Sequence, residues 1–144
     1  WFLRGLQERF GRQVSVNLCF SADLANLVYA ASDLYLMPSK SEPCGLSQLM
    51  AMRFGAVPVV NATGGLKDTV PAYEGPESEG RGFTFQSYNA DDFLAAIDRA
   101  LALYYDAPAQ WQELVRHDMS QDFGWDKGAE RYMALYHKAL GDKA

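Results

Sequence analysis

Apolar residues run along this chain in two alternating rhythms. Trp1 to Phe10 carries them at positions 2, 3, 6 and 10 and then meets Gly11, which predicts a helix with a glycine stop. Val14 to Phe20 is rich in Val, Leu and Phe and predicts a strand. Ser21 is placed to cap a helix running through Ala31. Asp33 to Pro38 contains Leu-Tyr-Leu-Met, a short buried strand stopped by proline. Leu46 to Phe54 predicts a helix closed by Gly55, and Ala56 to Val60 a strand. The unbroken apolar run of that strand suits a parallel sheet covered on both faces.

Beyond Val60 the rhythm loosens. Asn61 to Lys67 predicts a Thr-Gly-Gly loop. Pro71 to Arg81, with its Gly75-Pro76 pair, Gly80 and three glutamates, predicts an exposed excursion. Phe83 to Phe85 is a short strand. Asn89 caps a long helix, with Asp92 as the weaker half of a capping box, and Phe93, Leu94, Ile97, Ala100, Leu101 and Tyr104 form its apolar stripe. Pro108 opens a helix bearing Trp111, Leu114 and Val115. Phe123-Gly124-Trp125 breaks the chain before a last helix to about Leu140. Strands alternating with helices predict one α/β domain over 1–144, a Rossmann-like parallel sheet flanked by helices. Ligands of such sheets bind at the carboxyl ends of the strands. The loops at that edge are Phe20-Ser21, Ser39 to Gly45, and Asn61 to Gly65.

Composition narrows the function classes. The chain has 144 residues, room for one domain with its own core, and 49% of them are apolar, which excludes disorder. The formal net charge of −5 speaks against a nucleic-acid partner. No apolar run is long enough to span a membrane. The two cysteines, Cys19 and Cys44, form no CxxC pair and suggest no disulfide framework, which fits a reducing cytoplasm or plastid stroma.

The candidate chemistry is concentrated in Ser39-Lys40-Ser41-Glu42-Pro43-Cys44-Gly45-Leu46-Ser47-Gln48. A carboxylate stands in a loop after a buried strand, then a glycine, then a helix start. The N–H groups of Gly45, Leu46 and Ser47 are the free donors of that first turn, which with the helix dipole attracts phosphate. A carboxylate beside a phosphate site accepts hydrogen bonds from sugar hydroxyls; the competing reading of Glu42 is a helix cap. Thr63 and Gly64 either approach a ligand or simply turn the chain. Lys40 reads as a surface lysine. His117 and His137 lie in helices without a paired carboxylate or cysteine, as surface or packing residues. Asp91-Asp92 serves a helix N-terminus. Trp111, Phe123, Trp125, Tyr132 and Tyr136 read as packing.

The string Glu-Pro-Cys-Gly-Leu at 42–46, followed by Gln48, by Ala51-Met52-Arg53-Phe54-Gly55-Ala56-Val57-Pro58-Val59-Val60 and by Thr63-Gly64-Gly65-Leu66-Lys67-Asp68-Thr69-Val70, resembles bacterial glycogen synthases and plastid starch synthases. The likeness extends from about Val14 to the final helix. It implies the C-terminal, donor-binding half of a two-domain GT-B glucosyltransferase. It further implies ADP-glucose or UDP-glucose as donor, an α-1,4-glucan acceptor, retention of configuration, and no metal or cofactor. By likeness Glu42 holds the transferred glucose, Cys44 and Gly45 present amides to its hydroxyls, and Leu46 and Ser47 meet the distal phosphate. Phe20 falls where similar enzymes stack an aromatic ring on adenine. Met50 stands where many retaining GT-B enzymes carry a second glutamate, which favours the synthase group. Asn61 stands where arginine is usual and is assigned no role. The resemblance also places the acceptor domain and the diphosphate-binding cations upstream of Trp1, so the chain alone is expected to be inactive. The alternatives are another retaining GT-B sugar transferase, such as a sucrose- or trehalose-forming enzyme, and a non-catalytic nucleotide-binding module.

Overall fold

The computed structural model of the chain describes residues 1–141. Three strands, β1 (Leu34–Met37), β2 (Val57–Asn61) and β3 (Phe83–Phe85), form one parallel sheet in that order. Seven α-helices accompany them among the described residues. They are α1 (Phe2–Phe10), α2 (Ala22–Ala31), α3 (Ser47–Arg53), α4 (Gly64–Thr69), α5 (Ala90–Asp106), α6 (Pro108–Ser120) and α7 (Trp125–Leu140). The sheet and its flanking helices form the expected α/β architecture.

All five residues of β2 are buried, and the strand's period of two sends them to opposite faces. Val57 and Val59 pack with Phe83, Phe85, Ala96 and Ala100, and with Trp111 and Leu114 of α6. Val60 packs on the other side with Met52 of α3, Leu66 of α4 and Val70. Each fully buried side chain of this kind contributes roughly 1.5–3 kcal/mol, so β2 fixes both layers at once. Pro58 is tolerated in this central strand because of its register. Val57 N donates to Asp33 O, so strand alternation turns the Pro58 nitrogen away from β1, and pairing with β3 begins only at Val59 opposite Phe83.

The helix boundaries follow their local signals. Ser21 Oγ accepts from Leu24 N at 3.2 Å and Asn89 Oδ1 from Asp92 N at 2.8 Å, both N-caps. Gly11 takes a φ of 52° and Gly55 one of 91°, ending α1 and following α3.

Three expectations give way. Val14 to Phe20 forms no strand: Val16 N donates to Gln7 Oε1 at 2.7 Å, and the segment joins no sheet ladder among the described residues. Its alternation is that of a strand, but alternation does not supply a neighbour for its N–H and C=O groups. The Thr-Gly-Gly stretch runs into helix α4, because the full burial of Leu66 and a 2.6 Å bond from Thr69 Oγ1 to Gly65 O outweigh two glycines of poor helix propensity. The aromatic residues late in the chain divide. Trp111 is buried, edge-on to Tyr104 at 5.1 Å, whereas Phe123, Trp125, Tyr132 and Tyr136 are exposed and α7 has no buried residue.

Behind the sheet, Asp118 on α6 is only 2% exposed. Neither carboxyl oxygen has a hydrogen-bond partner among the described residues, and His117 Nδ1 stands 3.9 Å from Oδ1. His117 therefore does have a carboxylate neighbour, one that sequence spacing hid because adjacent helical residues point apart. Burial pushes the Asp118 carboxyl up to about 8, opposed by the nearby Arg81 guanidinium. Its ordinary value is 3.8. The raised value in the folded state means that the associated stability is complete below the unfolded value and is lost as pH climbs toward 8. The slope is at most about 1.4 kcal/mol per pH unit. The urea midpoint is expected to fall between pH 5 and 8, and to fall less in Asp118→Asn, which carries no titrating proton there. Parallel profiles for the two proteins would show Asp118 to be ionised in the fold.

Candidate functional site

Because β1 and β2 are adjacent and parallel, the chain leaving each emerges at the same sheet edge. Residues 38–46 leave β1 and enter α3; Ala62 and Thr63 leave β2 and enter α4. The two turns touch through main chain. Gly65 N donates to Glu42 O at 3.0 Å. A Cβ on Gly64 would lie 2.1 Å from Glu42 O, and one on Gly65 would lie 2.1 Å from Cys44 O. No side chain fits at either position, so glycine is required by the approach itself.

Side chains then fasten the turn from beneath. Gln48 is fully buried, and its Nε2 donates to Gly45 O at 2.9 Å, to Thr69 Oγ1 at 3.1 Å and, more weakly, to Cys44 O at 3.4 Å. Two of these acceptors are carbonyls, which fixes the amide with its nitrogen toward them. Thr69 Oγ1 passes its own proton to Gly65 O. Gly45, at φ 76°, leaves no room for a Cβ, which would meet Gln48 Oε1 at 2.5 Å. Asn61, 5% exposed, donates from Nδ2 to Ser39 O at 2.9 Å and ties the end of β2 to the loop after β1. The sequence pattern names Gln48 and Thr69 only as members of the motif and gives Asn61 no role, so the bonds of all three are new. Their signal was a polar side chain on the buried face of an apolar element, where it must find partners.

The sequence-predicted residues sort as follows. Glu42 is half-buried, and its carboxylate makes no hydrogen bond or ion pair among the described residues. It caps nothing: the residue ahead of α3 is Leu46, and no side chain bonds into that first turn. The first-turn N–H groups of α3 thus have no side-chain partner, and an acceptor-only carboxylate stands one turn of chain away. Cys44 is exposed, with Sγ 3.7 Å from Gly45 O; Leu46 is exposed and Ser47 half-buried, its Oγ 3.3 Å from Met37 Sδ. Thr63 occupies the cap position of α4 without a side-chain bond, and Gly64 has a φ of 47°. Lys40 is exposed. Phe20 is fully exposed and packs against nothing, directly ahead of the Ser21 cap. A cleft of about 620 Å³ opens beside Leu46, lined by Met50, Arg53 and Phe54 and, across from them, by Phe123.

The close approach has a direct consequence for stability. Gly65→Ala pushes a methyl group into the Cys44 carbonyl and is expected to cost roughly 1–3 kcal/mol, as overpacking does. Gly5→Ala, in an exposed helix with nothing within 4 Å, is expected to stabilise by about 0.5–1 kcal/mol. Urea unfolding of both variants checks the pair. A Gly65→Ala protein as stable as the parent would remove the main-chain contact from the account.

The glycosyl transferases group 1 family matches residues 10–118. The glycogen synthase of Clostridium botulinum (strain Alaska E43 / Type E3) is 49% identical over 131 residues, which cover 91% of this chain and 27% of that protein. The chain thus spans about a quarter of that relative's length. Among solved structures, the catalytic domain of starch synthase IV from Arabidopsis thaliana, bound to ADP and acarbose, superposes with a TM-score of 0.85 at 36% identity. It covers 97% of this chain, which covers 29% of it. Sucrose-phosphate synthase from Thermosynechococcus elongatus superposes with a TM-score of 0.66 at 26% identity, covering 98% of this chain and 34% of its own. On the strength of the match over residues 10–118, which takes in β1, β2, β3 and both turns of the site, the chain belongs to the glycosyl transferases group 1 family.

Proposed function

We propose that this chain is the nucleotide-sugar-binding part of a retaining glucosyltransferase that extends an α-1,4-glucan in glycogen or starch synthesis. One observation carries the reading. The unpartnered Glu42 carboxylate and the uncapped first turn of α3 share a single turn whose main chain is locked against Gly64 and Gly65. An acceptor-only group beside a cluster of N–H donors suits a sugar joined to a phosphate. The glycogen synthase and starch synthase likenesses support the glucan as acceptor, and the sucrose-phosphate synthase likeness is looser on both measures. The starch synthase relative is bound to ADP, which supports ADP-glucose over UDP-glucose as donor.

In this reading Glu42 accepts hydrogen bonds from glucose hydroxyls, and the amides of Cys44 and Gly45 donate to them. Leu46 and Ser47 N–H groups meet the distal phosphate, and developing charge on the leaving diphosphate is stabilised by the start of α3. Thr63 and Gly64 bring main chain close to the donor. The exposed Phe20 ring offers a face for adenine. Retention follows from acceptor attack on the same face as the departing phosphate, with Glu42 acting through position and charge. We also propose that the acceptor site and the cations for the diphosphate are carried by a further domain of the polypeptide, and that this chain alone transfers no glucose to a glycogen primer. Cys19 and Cys44, both free, suit a reducing compartment, cytoplasm or plastid stroma. Among the described residues no helix is long and apolar enough to cross a membrane.

Glu42→Ala in the intact polypeptide is expected to lower kcat about a hundred- to a thousandfold, the scale of losing one well-placed transition-state contact. Affinity for ADP, which has no glucose, is expected to change little. Normal turnover per folded molecule, measured beside the melting temperature of the same preparation, would take Glu42 out of the reaction.

A further inference from the structure

The excursion between β2 and β3 closes on itself through Arg81 N to Pro71 O at 2.9 Å and Tyr73 N to Gly82 O at 2.8 Å. This places Arg81 just ahead of β3 and beside the end of α4. Its Nη1 donates to Thr69 O at 3.4 Å, its guanidinium lies 5.7 Å over the Phe123 ring, and its Nε is buried with no hydrogen-bond partner. Thr69 is the last residue of α4, so its carbonyl is one that the helix leaves open, and a cation there also faces the negative end of the helix dipole. The buried Asp118 carboxyl on α6 feels the same guanidinium. Thr69 in turn bonds through its hydroxyl to Gly65 O and Gln48 Nε2, and Gln48 holds the carbonyls of Cys44 and Gly45.

We propose that Arg81 is a positioning residue, held between the Phe123 ring and the Thr69 carbonyl, that sets the placement of the Glu42–Gly45 turn through Thr69 and Gln48. This rests on the donor-site reading above and extends it to a residue outside the Glu42–Gly45 turn. The sequence offered no sign of it, because Arg81 lies in a stretch whose glycines, prolines and glutamates read as a solvated loop. The one direct bond from Arg81 to the turn's support is at a main-chain carbonyl, which makes the link independent of the side chain at 69. The hydroxyl of Thr69 then carries the link forward to both Gly65 and Gln48.

Hydrogen exchange of backbone amides and calorimetric titration with ADP-glucose test this together, on the intact polypeptide and on its Arg81→Met, Arg81→Lys and Thr69→Val variants. Arg81→Met is expected to speed exchange at the Gly65 amide about five- to tenfold, the scale of one lost hydrogen bond, while Val59 and Val60 in β2 keep their protection. ADP-glucose binding is expected to weaken by a similar factor. Arg81→Lys, which keeps the charge, restores most of both. Thr69→Val reproduces the Gly65 effect and carries the test if Arg81→Met does not fold. A rise spread evenly over β2 and the turn, or no rise at Gly65, overturns the proposal, as does a local rise with unchanged ADP-glucose affinity. If the intact polypeptide binds no ADP-glucose while the local rise is present, the donor reading falls and the Arg81 link to the turn stands.

Discussion

Everything in this molecule depends on β2 being buried on both faces. A strand of Val-Pro-Val-Val-Asn without an exposed position cannot stand in a two-layer fold, so helices must cover it from both sides. Alternation then assigns the layers: Val57 and Val59 take α5 and α6, and Val60 takes α3 and α4. Since α3 and α4 lie between parallel strands, the chain returns after each to the same starting edge, and the turns before α3 and α4 both gather at the opposite one. The site is therefore a product of the sheet's topology before any of its side chains is considered.

At that edge, packing and polar satisfaction act on the same few atoms. The carbonyls of Glu42, Cys44 and Gly45 accept from Gly65 and Gln48, which would otherwise be buried donors without partners. The turn has little freedom left, and pre-organisation of this sort is what lets a handful of amides and one carboxylate act on a charged ligand without reordering. From that edge a cleft runs along α3 from Leu46 to Phe54, with Phe123 also in its lining.

Much of this was legible in the sequence, for identifiable reasons. Caps at Ser21 and Asn89, stops at Gly11 and Gly55, and the unbroken run of β2 are local signals, and local signals decided those elements. Val14 to Phe20 departs from its expected strand because richness in Val, Leu and Phe says nothing about the neighbour that must accept its backbone bonds. α4 was hidden by its glycines, whose low propensity was overridden by burial of Leu66. At the site, the motif covers Glu42 to Gln48, but Thr69 meets Gln48 from 21 residues away, Asn61 meets Ser39 from 22 and Arg81 meets Thr69 from 12. A spacing rule cannot see such partners. The exposed apolar residues of α7 are the reverse case: the periodic pattern is present, and the described residues bury none of it.

The contact between the two turns is made of carbonyl oxygens and the absence of two methyl groups. A frame defined in that way stores its shape in the main chain and leaves most of its side chains free to vary. Lys40, Pro43, Cys44 and Leu46 all point away from the contact or into open space, so their chemistry can drift without moving the scaffold. Positions 64 and 65 have no such latitude. For an engineer, this divides the two turns into a fixed chassis and an interchangeable lining, and changes that spare the scaffold are to be sought in the lining alone.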